Sequence, residues 1–198
     1  MFSISIHSEK GKPMNRWFIS DTHFHHVNII KYSNRPFVDA STDMVEGLIE
    51  RWNSVIAPED EVYFLGDFAM GKHTYERDRA LADRLAGKKH MILGNHDRHI
   101  RSTDSAGNPI KIMDVDSAIS YWTSIGFATV SNAPIVVDDY FILSHEPING
   151  INKNQIFANI HGHTHDISIE NGNYFNVCVE KINYTPINFD QIKEYFNG

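Results

Sequence analysis

The sequence predicts a mixed α/β domain in which two sheets pack face to face beneath outer helices. Three observations carry this. Five short apolar, β-branched or aromatic runs, at 17–19, 62–65, 91–93, 140–143 and 157–160, have the length and composition of buried strands. Segments of helical period lie between the earlier ones. Toward the C-terminus, strand-like runs flank Asp138-Asp139 and Asn171-Gly172, turn signals of hairpins that a purely parallel sheet does not contain.

Taken in order, residues 1–15 carry the alternating run Phe2-Ser3-Ile4-Ser5-Ile6 and then Gly11-Lys12-Pro13. They read as an edge strand and turn or as an N-terminal extension, with Met14 a second candidate start. From Arg16 a strand leads into Asp21-Thr22-His23 and a helix-like stretch at 27–32, which breaks at Asn34-Arg35-Pro36. Residues 43–56 predict an amphipathic helix: Met44, Val45, Leu48, Ile49, Trp52 and Ile56 share a face, Asp43 and Glu46 stand at its start, and Pro58 closes it. Another helix spans 75–86 and ends at Gly87, which suits a left-handed cap. Residues 102–111, rich in Ser, Asp, Gly, Asn and Pro, read as an exposed excursion with its tip toward substrate, followed by a helix at 117–125. Hairpins then pair 135–137 with 140–143 and 167–170 with 174–179, and Asp190 opens a final short helix.

At 198 residues the chain suits one domain, 1–198, with a substantial core and no cap domain. Its 41% hydrophobic and 22% charged residues are those of a globular protein. No apolar run approaches membrane-spanning length, and the N-terminal stretch lacks a signal-peptide apolar core, so the cytoplasm is the expected location. Cys178 is the only cysteine, which excludes an internal disulfide and thiolate metal clusters and points to core filling. The net charge of −7 argues against tracking long duplex nucleic acid and leaves small phosphoesters open.

Each strand-like run is followed at once by metal-ligand chemistry: Asp21-Thr22-His23, Gly66-Asp67, Gly94-Asn95-His96-Asp97, Ser144-His145 and Gly162-His163-Thr164-His165. Strands of an α/β domain end at an edge where loops meet in a crevice, so these side chains gather there. An Asp or Asn after one strand is usually a turn former or cap. Packing alone, however, gives no reason for ligand-type residues at five strand ends, and the set reads as a two-metal phosphoester hydrolase. Imidazole, carboxylate and amide oxygen suit manganese, iron, zinc or nickel, with manganese favoured. His163 and His165, two apart on an extended segment, are expected to share one side.

In this order the five clusters resemble the D-x-H, G-D, G-N-H-[DE], H and G-H-x-H pattern of the calcineurin-like metallophosphoesterases, over residues 17–187. The stretches Phe18-Ile-Ser-Asp-Thr-His-Phe24, Ser33-Asn-Arg-Pro-Phe37, Asn176-Val177 and Tyr184-Thr-Pro-Ile187 further resemble a compact subgroup of bacteria and phages. The resemblance implies a four-layer αββα sandwich. It also implies one metal on Asp21, His23 and His165, a second on Asn95, His145 and His163, and Asp67 bridging them. Two divalent ions about 3.5–4 Å apart would then acidify a shared water for in-line attack on phosphorus. His96 is placed to stabilise developing charge or protonate the leaving oxygen, with Asp97 orienting its imidazole and raising its pKa.

For substrate, Arg35 is the candidate fork on a phosphate or terminal anion, against a surface arginine beside a turn. His26 and Asn28 either contact phosphate oxygens or cap the following helix. Arg98, His99 and Arg101 read as a solvated face rather than a second phosphate pocket, and His73 and His161 as structural. The subgroup usually has Gly where this chain has His25. The expected activity is a phosphodiesterase on a small nucleotide-like ester. The alternatives are a phosphomonoesterase or phosphoprotein phosphatase, then a nuclease, then a silent protein-binding scaffold.

Overall fold

The computed structural model describes residues 14–71, 73–152, 154, 157–170 and 172–197, so the edge strand and turn expected within 1–13 lie outside the described residues. The elements in order are β1 (Arg16–Ile19), α1 (Ile29–Tyr32), α2 (Asp43–Asn53), β2 (Glu61–Phe64), α3 (Tyr75–Asp83), β3 (Lys88–Ile92), β4 (Ile100–Thr103), β5 (Pro109–Ile112) and α4 (Val115–Ile125). They continue with β6 (Thr129–Ser131), β7 (Ile135–Val137), β8 (Phe141–Ser144), β9 (Ala158–His161), β10 (Tyr174–Asn176), β11 (Ile187–Asn188) and α5 (Phe189–Asn197).

One sheet has the order β11-β1-β2-β3-β6, parallel except for β11, and the other has the order β10-β9-β8-β7, parallel except for β7. The expected mixed α/β arrangement with two sheets is the one found. Alternation along the strands divides the core in two. Ile19, Val62, Phe64 and Met91 face the helices, packed with Leu48 and Trp52 of α2, Leu81 of α3 and Trp122 of α4. Phe18, Leu65 and Ile92 face the other way, onto Leu143, Ile160 and Val177 and onto Phe189 and Ile192 of α5. Strands buried on both faces are held from two sides, at about 1.5–3 kcal/mol per fully buried large side chain. Their carboxyl ends therefore make a stiff rim for the loops.

The apolar face predicted for α2 is buried, and Ile56 is buried with it although the helix stops at Asn53. Gly87 after α3 is left-handed, φ +84°, as expected of a cap. The hairpin of β7 and β8 forms around Asp138 and Asp139, both at positive φ.

Two expectations are corrected. Residues 102–111 are largely an antiparallel hairpin, β4 with β5, because buried Ile100 and Ile112 anchor it. The turn chemistry is confined to its tip, where Asp104 Oδ1 accepts from the amides of Ala106 and Asn108. The second late hairpin is absent among the described residues, outside which Asn171 of its expected turn lies: residues 167–170 are not a strand, and β10 pairs in parallel with β9. The Asn176 side-chain amide instead donates to the carbonyls of His165 and Ile167, tying that segment down without a ladder.

Candidate metal centre

The first two ligand loops are zipped together past the ends of their strands. Asp21 N donates to Gly66 O at 2.9 Å, His23 N to Asp67 O at 3.0 Å and Phe24 N to Phe68 O at 2.9 Å, continuing the parallel pairing of β1 with β2. Glycines let the remaining loops close in: a Cβ on Gly94 would collide with the Asp67 carboxylate, and one on Gly162 with Ser20 Oγ and Asp21 Oδ2.

All seven sequence-predicted ligand positions converge at this rim. Asp67 Oδ2 lies 3.5 Å from His23 Nε2 and 3.6 Å from His145 Nε2. On one side, His23 Nε2 is 3.7 Å from Asp21 Oδ1, and the His23 ring stacks on His165 at 5.3 Å between centroids. Asp21, His23 and His165 offer ligand atoms within 4.8 Å of one another, as do Asp21, Asp67 and His145. On the other side, Asn95 Oδ1 is 3.0 Å from His145 Nε2 and 3.1 Å from His163 Nδ1. His96 stands at the mouth, its Nε2 4.0 Å from Asp67 Oδ2 and its side chain 42% exposed.

Several of these donors have one atom tied back and one turned inward. Asp21 Oδ2 accepts from Ser20 Oγ, His163 N and Cys178 Sγ, which leaves Oδ1 buried and without a partner. Asp67 Oδ1 accepts from His96 N, which frees Oδ2. His145 Nδ1 donates to Leu65 O, and His165 Nδ1 to Glu180 Oε1 at 3.1 Å, so that each presents Nε2. Both ring nitrogens of His23 are buried without a hydrogen-bond partner. Orphaned polar atoms are costly inside a protein, and their clustering here is what a cation site requires.

The backbone is strained at the same place. Asp21, His23, Asp67, His163 and His165 all have positive φ, between +46° and +69°. This corrects the expectation of an extended Gly162–His165 segment: both histidines are left-handed in a series of bends, yet both reach the cluster. Such conformations persist where the surroundings impose them and concentrate at functional sites. His25 is left-handed too, φ +66°, which explains the glycine of the subgroup. His25→Gly is expected to fold at least as stably as the parent, whereas His25→Val should lose about 1–2 kcal/mol, because a β-branched side chain fits positive φ poorly. Urea unfolding of the two variants measures the difference, and equal midpoints would remove the strain argument.

The charges fit the same purpose. Burial, with Asp97 and Asp21 nearby, pushes the Asp67 carboxyl up to about 9. Burial pushes Asp21 up as well, but the nearby His23 imidazole, 3.7 Å away, and His145 outweigh it and hold Asp21 below the usual carboxylate range. Burial takes His23 down to about 4, so it offers a neutral imidazole. A pair of buried carboxylates ringed by imidazole nitrogens and an amide oxygen suits divalent cations, which would stabilise the same charge that is now penalised at Asp67.

Four other readings are corrected or refined. Asp97 does not orient His96: its fully buried carboxylate accepts from the amides of Gly94, Asp67 and Phe68, at 2.8, 2.6 and 3.1 Å. Burial holds His96 below the ordinary imidazole range, so its pKa is not raised. Arg35 is neither a substrate fork nor a surface arginine, since it is buried and all five N–H donors are engaged, by Glu180, Thr22 O, Asp21 O and Met44 Sδ. Asn28 sits at the start of α1 without a side-chain cap bond, and the His26 ring lies 5.4 Å from that of His23 at the mouth. His73 and His161 are buried, the first against Asp78 and the second against its neighbour Gly162 O.

Glu180, Ser20 and Asn176 escaped the sequence reading as parts of the site. Cys178 is buried, as expected of a core residue, but its thiol also faces Asp21. Burial and the negative charge of Asp21 push that thiol far up, so it acts as a donor and not as a thiolate.

Beside the cluster, a groove of about 250 Å³ is lined by His145, Arg98, Asn132, Ile92, Pro134 and Ile148. A larger cavity of about 660 Å³ lies between α4 and the β4–β5 hairpin and includes none of the ligand positions.

Two mixed sheets with a carboxylate–imidazole cluster at their strand ends define a metallophosphoesterase. The chain belongs to the calcineurin-like phosphoesterase family, whose profile matches residues 14–193. It is 33% identical over 183 residues to the uncharacterized protein MJ1445 of Methanocaldococcus jannaschii, covering 89% of this chain and 88% of that one. It is 37% identical over 86 residues to the Gene 66 protein of Mycobacterium phage L5, covering 42% of this chain and 40% of that one. Among solved structures, a protein of unknown function from Aquifex aeolicus shares the fold, with a TM-score of 0.63, 22% identity and coverage of 92% of this chain and 99% of that one. No helix of the described residues is long and apolar enough to cross a membrane.

Proposed function

We propose that the chain is a dinuclear metal-dependent phosphodiesterase acting on a small nucleotide-like ester. The observation that carries this is the inward Oδ2 of Asp67, placed 3.5 Å from His23 and 3.6 Å from His145, so that one carboxylate serves two ligand groups. Asp21, His23 and His165 complete the first group, and Asn95, His145 and His163 the second. Two bound divalent ions, manganese favoured, would supply positive charge to the phosphoryl oxygens and acidify water for attack on phosphorus. The chain's own part is orientation and charge. Tethered imidazoles and half-tethered carboxylates hold the donors in place without rearrangement.

His96 projects at the mouth, held below the usual imidazole range by burial, and so presents an uncharged N–H donor near neutral pH. That donor meets charge developing on the phosphoryl or leaving oxygen. His96→Ala is expected to bind metal as the parent does while kcat falls by roughly 2–4 kcal/mol of transition-state stabilisation. Metal analysis beside steady-state kinetics tests it, and a metal-loaded, fully active variant would end the assignment.

Exposure of Asn95, His96 and His163 opens the centre to solvent, which leaves room on both sides of a phosphodiester. The acidic surface does not favour long duplex substrates, and a lone buried cysteine accords with a reducing cytoplasm. The test is hydrolysis of bis(p-nitrophenyl) phosphate against p-nitrophenyl phosphate with Mn²⁺, followed by cyclic and linear nucleotides. Faster turnover of diesters is expected. A preference for monoesters would overturn the diesterase reading, and no turnover by metal-loaded protein would overturn the hydrolase.

A further inference from the structure

Behind the first ligand group lies a buried ion pair that the proposed chemistry does not use. Arg35 and Glu180 stand 145 residues apart, and their side chains are 0% and 4% exposed. Arg35 Nε and Nη2 both donate to Glu180 Oε1, at 2.9 and 2.7 Å. The same oxygen accepts from His165 Nδ1. The other side of the guanidinium grips the first ligand loop, through Asp21 O and Thr22 O, each at 2.7 Å.

Both segments are built to place this pair. Asn34 turns the chain at φ +46°, and Phe37 packs on Gly47 of α2 and edge-on against Tyr184, so Arg35 points inward. Asn183 and Tyr184, both left-handed, fold the chain back after Glu180, with Tyr184 N donating to Val179 O.

We infer that Glu180 is a positioning residue for the cation that Asp21, His23, Asp67 and His165 would hold, fixing the His165 ring while Arg35 locks the carboxylate to the Asp21–Thr22 backbone. The inference rests on the proposed ligand set. An Nδ1–H donated to Glu180 leaves the lone pair of His165 on Nε2. Glu180 also cancels the Arg35 charge, which would otherwise repel a cation from close behind the ligands. The second ligand group has a weaker counterpart, since His145 Nδ1 faces only the neutral Leu65 carbonyl. The effect therefore falls on one ion of the two.

The experiment is calorimetric titration of chelator-stripped protein with Mn²⁺, comparing the parent, Glu180→Gln and the double variant Arg35→Met/Glu180→Leu. Glu180→Gln preserves shape and Oε1 but removes the charge. It is expected to raise one of the two dissociation constants about 10–100-fold and to leave the other within about threefold. The double variant replaces the pair by apolar side chains of similar volume, an exchange that buried ion pairs tolerate. It also leaves Asp21 O and Thr22 O without their guanidinium donor, so it should melt several degrees below the parent without metal, while showing the same selective loss. A purely bracing pair would move melting temperatures and leave both constants unchanged, which overturns the inference. If Glu180→Gln does not fold, the double variant decides alone. A parent that binds fewer than two Mn²⁺ would overturn the ligand set itself, a failure separable from that of Glu180.

Discussion

Asp67→Asn is expected to abolish hydrolysis, by at least about 10³-fold or 4 kcal/mol, and at the same time to stabilise the chelator-stripped protein at pH 7. The first effect follows from position. Among the described residues, Asp67 is the one carboxylate within 3.6 Å of nitrogens from both ligand groups, and an amide there offers neither the charge nor two equivalent oxygens. The second follows from burial, which with Asp97 and Asp21 raises the folded-state pKa of Asp67 far above its unfolded value. The sign is unusual for an aspartate. Below about pH 4 the group is protonated in both states and neutral toward stability. As pH rises from there toward the folded pKa, the unfolded chain gives up its proton first, so the metal-free protein loses stability progressively. Asn carries no such penalty, and its metal-free form should hold a flatter pH profile between pH 4 and 9. Saturating Mn²⁺ should reverse the order, because binding stabilises the parent and not the variant. Thermal melts across pH, with chelator and with Mn²⁺, read both arms. A metal-free parent as stable at pH 8 as at pH 5 would show that Asp67 is not the strained carboxylate described.

The contrast between Asp67 and Arg35 shows what a single sequence reveals of such a centre. Each ligand stands directly after a strand, and strand periodicity is local, so Asp21, Asp67, Asn95, His145, His163 and their neighbours were legible without any contact being known. The residues that aim those ligands are not local. Ser20, Cys178 and the His163 amide meet on one oxygen of Asp21 from three separate strand ends. Glu180 reaches His165 from beyond the end of β10. Nothing in spacing distinguishes an Arg that binds phosphate from one whose five donors are consumed by backbone, carboxylate and thioether, so the role of Arg35 is not legible in the sequence.

The fold divides similarly. α2 and the strands buried on both faces were visible because apolar period and burial coincide there. The β4–β5 hairpin was hidden by the turn formers at its tip, although Ile100, Ser102, Ile110 and Ile112 carry its alternation. The late hairpin at 167–179 failed for the opposite reason. Its turn signal is in the sequence, but the Asn176 side chain donates to the carbonyls of His165 and Ile167, and β10 pairs with β9.

Asp97→Ala should unfold the ligand rim more than any other single change near the site, at a cost of about 3–6 kcal/mol. Three buried amides, those of Gly94, Asp67 and Phe68, point at one fully buried carboxylate, and each orphaned donor costs about 1–3 kcal/mol. Water cannot readily replace it, since the same residue's carbonyl accepts from Trp122 Nε1 of the helix core and keeps the turn closed. Asp97→Asn gives a graded comparison. Gly94 N and Asp67 N share Oδ2, so an amide oriented with its oxygen there keeps two of the three bonds and sets only its NH₂ against Phe68 N. Its loss should therefore be about 1–2 kcal/mol. For a chain of this size the alanine variant then melts roughly 10 °C or more below the parent and the asparagine variant a few degrees below. Activity should follow the same order, because Asp67 N is one of the amides released and the displaced carboxylate is the one both ligand groups share. An Asp97 that merely oriented His96 would behave otherwise: both variants would match His96→Ala in kcat and melt with the parent. That pattern would return Asp97 to the role the sequence suggested and leave the convergence of three amides on its carboxylate without a consequence.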